Sequence, residues 1–451
     1  MLDIAPKLEA LTAAFVKEHR IPGVAAGVVH GADLVWSAGV GHADIASARP
    51  AAPDVLYRIA SITKTFTGTA IMQLRDRGLL HLDDPAVTYL PELRDASSPF
   101  GAIETVTLRR LLSHESGFMG DPPGTDWATP TYEGEAARNL ERVAEMGTKI
   151  PPNAQQKYSN IGYQLLGEIV ARVSGTPYPM YVREAILDPL GMGSSAFPPL
   201  PAELDPRCAT GYSGRFLSDE LDLASIPPEV WAEGGMWSCV DDLARWISAQ
   251  LGDDETVLAN ATRKEMHTPR YLGDDTWEEA WCISWYAVRK GDVVWVQHSG
   301  GIHGFDTNVC FDPKEKVGAI VLVNGLADTA GLAMTLAGAA REAVREAVPA
   351  IDPVAPMPEA YRSLLGVYVQ YELGQLIRVE WRDKVLMVVN PDEATWRPRL
   401  MPTDDPDVFL VELGVRESGE HVTFNRLPDG RVASVLLAAD RFVRLDPVEM
   451  S

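Results

Sequence analysis

The sequence predicts an α+β domain over residues 1–347, a proline-rich linker over 348–358 and a small all-β antiparallel barrel over 359–451. Three observations carry this. Apolar, β-branched runs open the first segment (GVAAGVVHGADLVWSAG from Gly23) and close it (VVWVQHSGG, FDTNVCFDP and VGAIVLVNG from Val293), with a helical pattern between them, so that one sheet is completed by both ends. The stretch VPAIDPVAPMP then interrupts every period. Beyond it, LIRVEW, KVLMVV, DVFLVE, HVTFNR, RVASVLL and RFVRL are short strands at regular spacing, with a Pro-Asp-Gly turn at 428–430.

The elements follow in order. Leu8, Leu11 and Phe15 share one face of an opening helix, and Pro22 with Gly23 ends it before a hairpin. From about Ser61 a second helix runs toward Gly78, whose lack of a Cβ suits a carboxyl-terminal cap. Residues 116–135, SGFMGDPPGTDWATPTYEGE, have neither period and read as a long surface loop. Helical spacing returns in SNIGYQLLGEIVARVSG, YVREAILDPLGM and VDDLARWISAQLG, and an Ala-rich helix reaches about Ala347.

Composition bounds the function. At 451 residues the chain holds two or three units of roughly 100 to 200 residues each. Its 46% hydrophobic and 23% charged residues are those of a folded protein. Forty basic against 63 acidic residues leave 40 − 63 = −23, a charge that repels phosphate backbones and anionic lipid, so neither nucleic acid nor membrane is expected as a partner. The cysteines Cys208, Cys239, Cys282 and Cys310 are scattered, no apolar run is long enough to span a bilayer, and the amino terminus is amphipathic rather than signal-like. A cytoplasmic location is the expectation.

Three short patterns carry chemistry. Ser61-Ile62-Thr63-Lys64 places a hydroxyl and an amine on adjacent turns of one helix face, close enough for proton transfer. A serine hydroxyl needs such a base to become a nucleophile, and lysine serves when burial lowers its pKa. Of all tyrosines only Tyr158 has Asn two places on, in Tyr158-Ser159-Asn160, and of nine histidines only His298 has Gly two places on, in His298-Ser299-Gly300-Gly301. His114-Glu115 lacks the further ligands of a metal site, and no GxSxG elbow, GxGxxG fingerprint or P-loop occurs, so no metal and no cofactor is expected.

SxxK, YxN and HxG in that order resemble the serine β-lactamase and penicillin-binding-protein superfamily, in its class C-like branch. LLSHESG at 111–117, YSNIGYQLLGEIV at 158–170, ILDPLGM at 186–192 and EGGMWSCVDDLARW at 233–246 look like landmarks of the same family, over roughly residues 5–347. The resemblance implies an antiparallel sheet flanked by helices plus a helical subdomain, and relatives carrying a lipocalin-like barrel similar to the module at 359–451. It implies Ser61 as the nucleophile that forms an acyl-enzyme, Lys64 and Tyr158 as the proton-handling pair, and Asn160 as the group that orients Lys64 or the substrate. The oxyanion hole it implies is the N–H groups of Ser61 and Gly301, with Gly300 admitting the strand close to the substrate. His298 stands where related branches have the lysine of KTG, which weakens any fixed charge for a substrate carboxylate.

Trp231, Trp237, Trp281, Trp285 and Trp295 cluster around the third motif as candidate pocket walls, and Trp127 and Tyr132 in the 116–135 loop are candidate lid residues. The leading expectation is a cofactor-free serine hydrolase, a carboxylesterase on small apolar acyl esters. A D-amino-acid peptidase or amidase, or a peptide-cyclising thioesterase, with weak β-lactam hydrolysis as a side activity, shares the same acyl-enzyme. A non-catalytic binding protein is the alternative of another class. Substrates are then small molecules or peptides, and the barrel offers a route to homo-oligomers.

Overall fold

Seven of the eight residues of GVAAGVVH are buried, as an apolar run without alternation requires when a strand is covered on both faces. In the computed structural model this run is β1 (Gly23–His30). The structure describes residues 4–121, 140–213, 219–220, 231–273, 276–347, 357–371, 375–382, 384–390, 397–413, 418–437 and 440–445. The chain divides into two compact units, Met1–Ala347 and Val348–Ser451.

In the first unit, β1 is joined by β2 (Asp33–Asp44), β3 (Arg49–Pro50), β4 (Tyr271–Leu272), β5 (Glu279–Trp281), β6 (Tyr286–Lys290), β7 (Val293–Ile302), β8 (Phe305–Asp312) and β9 (Val317–Val323). They form one antiparallel sheet in the order β3-β2-β1-β9-β8-β7-β6-β5-β4. Its two halves meet where β1 pairs β9, Val24 opposite Val323 and Ala26 opposite Val321. The sheet extends past the runs that predicted it. Of the added strands β3, β4, β5 and β6, the first three have only two or three residues, too short to show a period, and all four are held by pairing with their neighbours.

Val24, Ala26 and Val28 pack under α1 (Ala5–His19) and α5 (Thr329–Ala347), against Leu8, Phe15, Leu332 and Leu336. Ala25 and Val29 face the larger core, which includes Trp246 and Ile247 of α4 (Val240–Leu251). In that core lie α2 (Thr63–Asp76), buried from Thr63 through Leu74, and α3 (Asn160–Ser174). A helix buried all round is a central element, and α2 carries the first chemical motif. No helix among the described residues is long and apolar enough to cross a membrane.

The second unit is a closed antiparallel barrel of eight strands: Gly366–Gln370, Gln375–Arg382, Val385–Val389, Arg399–Pro402, Val408–Leu413, His421–Arg426, Val432–Leu437 and Asp440–Arg444. The first and fourth add to the six recognised runs. Inward-facing Tyr368, Ile377, Val379, Leu386, Val388, Leu400, Phe409, Val422, Phe424, Val435 and Phe442 fill the interior with apolar side chains, as expected of eight strands. The linker residues 348–356 lie outside the described residues.

Candidate active site

Ser61 sits where an extended segment turns into a helix. Tyr57 and Arg58 pair with Ser238 and Trp237, and the Ile59 N–H donates to Met236 O at 3.0 Å, which pins the chain just ahead of a 3₁₀ turn at Ala60–Ile62 and the start of α2. Ala60 takes the left-handed conformation, φ +45°, costly for a residue with a Cβ and tolerated here because both flanks are fixed. Ser61 thus opens a helix, where N–H groups lack intrahelical acceptors.

Lys64 follows one turn on and is fully buried. Its Nζ donates to Asn160 Oδ1 at 2.8 Å, to Glu233 O at 2.6 Å and to Ser61 Oγ at 3.1 Å. Burial pulls the amine below its ordinary value, against the opposing charges of Glu233 and Asp121. The Asn160 amide is itself aimed by Asp121, whose Oδ1 accepts from Nδ2 at 2.8 Å.

Tyr158 and Asn160 flank Ser159, which caps α3 by accepting the Gly162 N–H at 2.9 Å. The Tyr158 hydroxyl lies beside Ser61 in the same cavity, and burial pushes its pKa up. Behind it stands His114, ring stacked on Tyr158 at 4.2 Å. Its Nδ1 accepts the Ser159 N–H at 3.1 Å and its carbonyl accepts the Lys157 N–H at 2.8 Å. His114 too is left-handed, φ +59°.

The third motif comes from β7. His298 is 2% exposed; its Nδ1–H donates to Ser299 O at 2.7 Å, and burial, with Lys64 nearby, pushes its pKa down to about 3. The ring is therefore neutral, with Nε2 as a lone-pair acceptor. Ser61, Tyr158, Asn160, His298, Ser299 and Gly301 all line one cavity of about 550 Å³, together with Glu233, Glu279, Trp281 and Tyr286.

Gly300 serves a different purpose from the close approach to substrate expected of it. A Cβ there would stand 2.1 Å from Ile59 O and 2.6 Å from Thr307 Oγ1, so the missing side chain lets β7 lie against the peptide that carries Ser61. Gly301 has open space at the same position. Gly300→Ala is expected to lower turnover by at least about a hundredfold and to destabilise the domain by about 1–3 kcal/mol, whereas Gly301→Ala should melt like the wild type. Thermal melts alongside ester hydrolysis check both.

Of the expected pocket tryptophans whose side chains are described, only Trp281 lines the cavity. Trp237 is 8% exposed and packs on Phe305 with the Arg58 guanidinium over its ring. Trp285 stacks on Trp246 in the core, and Trp295 belongs to the layer under α1 and α5. Aromatic density in sequence reflected sheet packing. Trp127, Tyr132 and the Trp231 side chain lie outside the described residues. The residues that sequence reasoning did not place here are His114, Asp121, Glu233, Glu279 and Tyr286; the signals among them are His114 within LLSHESG and Glu233 at the head of EGGMWSCVDDLARW. Among the described residues no group of three or more His, Cys, Asp or Glu is arranged to hold a metal ion.

Known proteins share the family and the fold. A family model described as Beta-lactamase matches residues 8–342. Protein flp of Staphylococcus aureus (strain COL) is 27% identical over 327 residues, 71% of this chain and 63% of that protein. Beta-lactamase-like protein 2 of Dictyostelium discoideum is 28% identical over 319 residues, 68% of this chain and 56% of that protein. The chain thus spans about six-tenths of the length of these curated relatives. Among solved structures, the octameric penicillin-binding protein homologue from Pyrococcus abyssi is similar at TM-score 0.62 and 25% identity, over 98% of this chain and 100% of that one. The beta-lactamase/D-alanine carboxypeptidase from Yersinia pestis is similar in fold at TM-score 0.63 and 24% identity, over 76% of this chain and 99% of that one.

Proposed function

Because the chain belongs to the beta-lactamase family, a superfamily of serine hydrolases, we propose that it hydrolyses esters through an acyl-enzyme on Ser61, as a carboxylesterase for small acyl groups. The observation that carries this reading is the geometry at Lys64 Nζ. Two of its three hydrogen-bonding positions are taken by Asn160 Oδ1 and Glu233 O, and the third points at Ser61 Oγ. Occupied by a proton, that position donates; vacated, it is a lone pair directed at the Ser61 hydroxyl.

The pKa directions favour Lys64 over Tyr158 as the acceptor of the Ser61 proton. Burial disfavours the charged form of each, which brings the neutral amine within reach of ordinary pH and puts the phenolate out of reach. In this mechanism Ser61 Oγ bonds to the substrate carbonyl carbon as its proton passes to Lys64. The oxyanion is held by the N–H groups of Ser61 and Gly301, and the proton returns from Lys64, through the Tyr158 hydroxyl, to the departing alkoxide. Water then repeats the sequence on the acyl-enzyme.

The cavity lining supports an ester rather than a carboxylate-terminated peptide. Among the described residues it contains no Lys or Arg, and His298 is neutral, so none of them offers a fixed cation to a substrate carboxylate. Intact-protein mass spectrometry after a fluorophosphonate probe tests the reading: a stoichiometric adduct lost in Ser61→Ala is expected, together with Ser61-dependent turnover of short thioesters and esters. Labelling or hydrolysis that survives Ser61→Ala would overturn it.

A further inference from the structure

We propose that the cavity beside Ser61 receives an ammonium group of the substrate at a subsite formed by Glu279, Trp281 and Tyr286. The inference rests on the hydrolase reading above and names its substrate class. Glu279 and Trp281 stand two residues apart on β5, so their side chains leave the same face of the strand. Tyr286 on β6 is the register partner of Trp281, with the two rings 5.2 Å apart. All three line the cavity that holds Ser61. A carboxylate beside two aromatic rings is the set of groups that holds an alkylammonium, the acid by charge and the ring faces by their quadrupole.

Glu279 is exposed and forms no ion pair among the described residues. Of the two β6 cations, Arg289 is engaged elsewhere, over the Trp277 ring at 4.7 Å and donating to Thr276 O at 2.9 Å, and Lys290 forms no ion pair with Glu279. The deeper lining offers an acceptor as well. His298 Nε2, on a side chain 2% exposed, has no hydrogen-bond partner among the described residues. An unpartnered side-chain site of this kind suits a ligand that brings donors and positive charge, and it repels a carboxylate. The net charge of −23 adds a long-range attraction of the same sign.

Two isosteric pairs test this without prejudging which side of the scissile bond carries the charge. Acetylthiocholine is compared with S-(3,3-dimethylbutyl) thioacetate, and D- or L-alanine ethyl ester with ethyl isobutyrate, below pH 7 where the alanine amine is protonated. Within each pair the ratio of kcat/KM, cationic over neutral, is measured in the full-length protein and in Glu279→Gln. Comparing the ratio between proteins cancels the intrinsic reactivity of the charged ester, and turnover of the neutral member shows that the variant site is assembled.

At least one pair is expected to lose about fivefold or more of its cationic preference in Glu279→Gln, and to lose a similar part of it in the wild type on raising ionic strength to roughly 0.5 M, where screening is strong. A ratio unchanged by Glu279→Gln in both pairs, while neutral turnover still depends on Ser61, overturns the subsite alone. If no substrate is turned over in a Ser61-dependent manner, the hydrolase reading falls and the subsite with it.

Discussion

Lys64→Met is expected to lower the rate of Ser61 acylation by about a thousandfold, and Ser61→Ala to remove turnover by roughly ten-thousandfold or more, with both proteins folded. The two effects differ because Lys64 only moves the proton, whereas Ser61 forms the bond. The wild-type pH profile should carry the signature of the amine. Since the reactive form is neutral Lys64, kcat/KM falls as pH drops through the Lys64 pKa and is retained above it. Burial places that acid limb well below the ordinary lysine value. In Lys64→Met the residual activity should rise with hydroxide concentration and show no such limb. Stopped-flow acylation by a chromogenic ester across the pH range measures both, and an unchanged acid limb in Lys64→Met would remove Lys64 from the role of base.

The second large effect belongs to His114. It touches no reacting atom; it positions Tyr158, by the stack on its ring and by anchoring the backbone at Lys157 and Ser159. His114→Phe keeps the ring but leaves the Ser159 N–H unsatisfied and forces a residue ill suited to φ +59° into that conformation. A loss of about a hundredfold in kcat with little change in KM is expected, the size associated with displacing a catalytic group by about 1 Å. His114→Asn keeps an acceptor near the Nδ1 position and tolerates the left-handed backbone, so it should recover about tenfold of that loss. Active-site titration with the fluorophosphonate probe normalises for folded protein. If Asn and Phe lose equally, the role of His114 is general packing rather than the placement of Tyr158.

The motifs that could be read from sequence are those whose spacing is local. Ser61 and Lys64 are a helical turn apart, and Tyr158 and Asn160 flank a helix cap, so chemistry and secondary structure are written in the same few residues. What escaped is tertiary. Glu233 contributes its backbone oxygen to Lys64, a role that no side-chain pattern can signal, and Asp121 acts only through Asn160. Gly300 was singled out for the correct reason, the need for space, but the neighbour that needs it is Ile59, more than two hundred positions away. The tryptophans misled because a large apolar ring near a motif is as useful to a core as to a pocket. Trp237 and Trp285 are core, and among the described tryptophan side chains only Trp281, one strand in from the edge of the sheet, reaches the cavity.

The pairing of β1 with β9 bears on how the chain is made. Val24 finds its partner at Val323, 323 − 24 = 299 positions later. At a synthesis rate of about 5–20 residues per second, β1 must wait roughly 15 to 60 seconds after translation for the strand that completes its neighbourhood. During that interval the hairpin with β2 can form, but the other edge of β1, apolar along seven of its eight residues, stays open to pairing with any nascent chain beside it. Early folding is therefore expected to proceed through the helical middle, with the sheet closing last. A ribosome-bound chain stopped before residue 317 should expose that edge to chaperones, and one extended past 323 and clear of the exit tunnel should not.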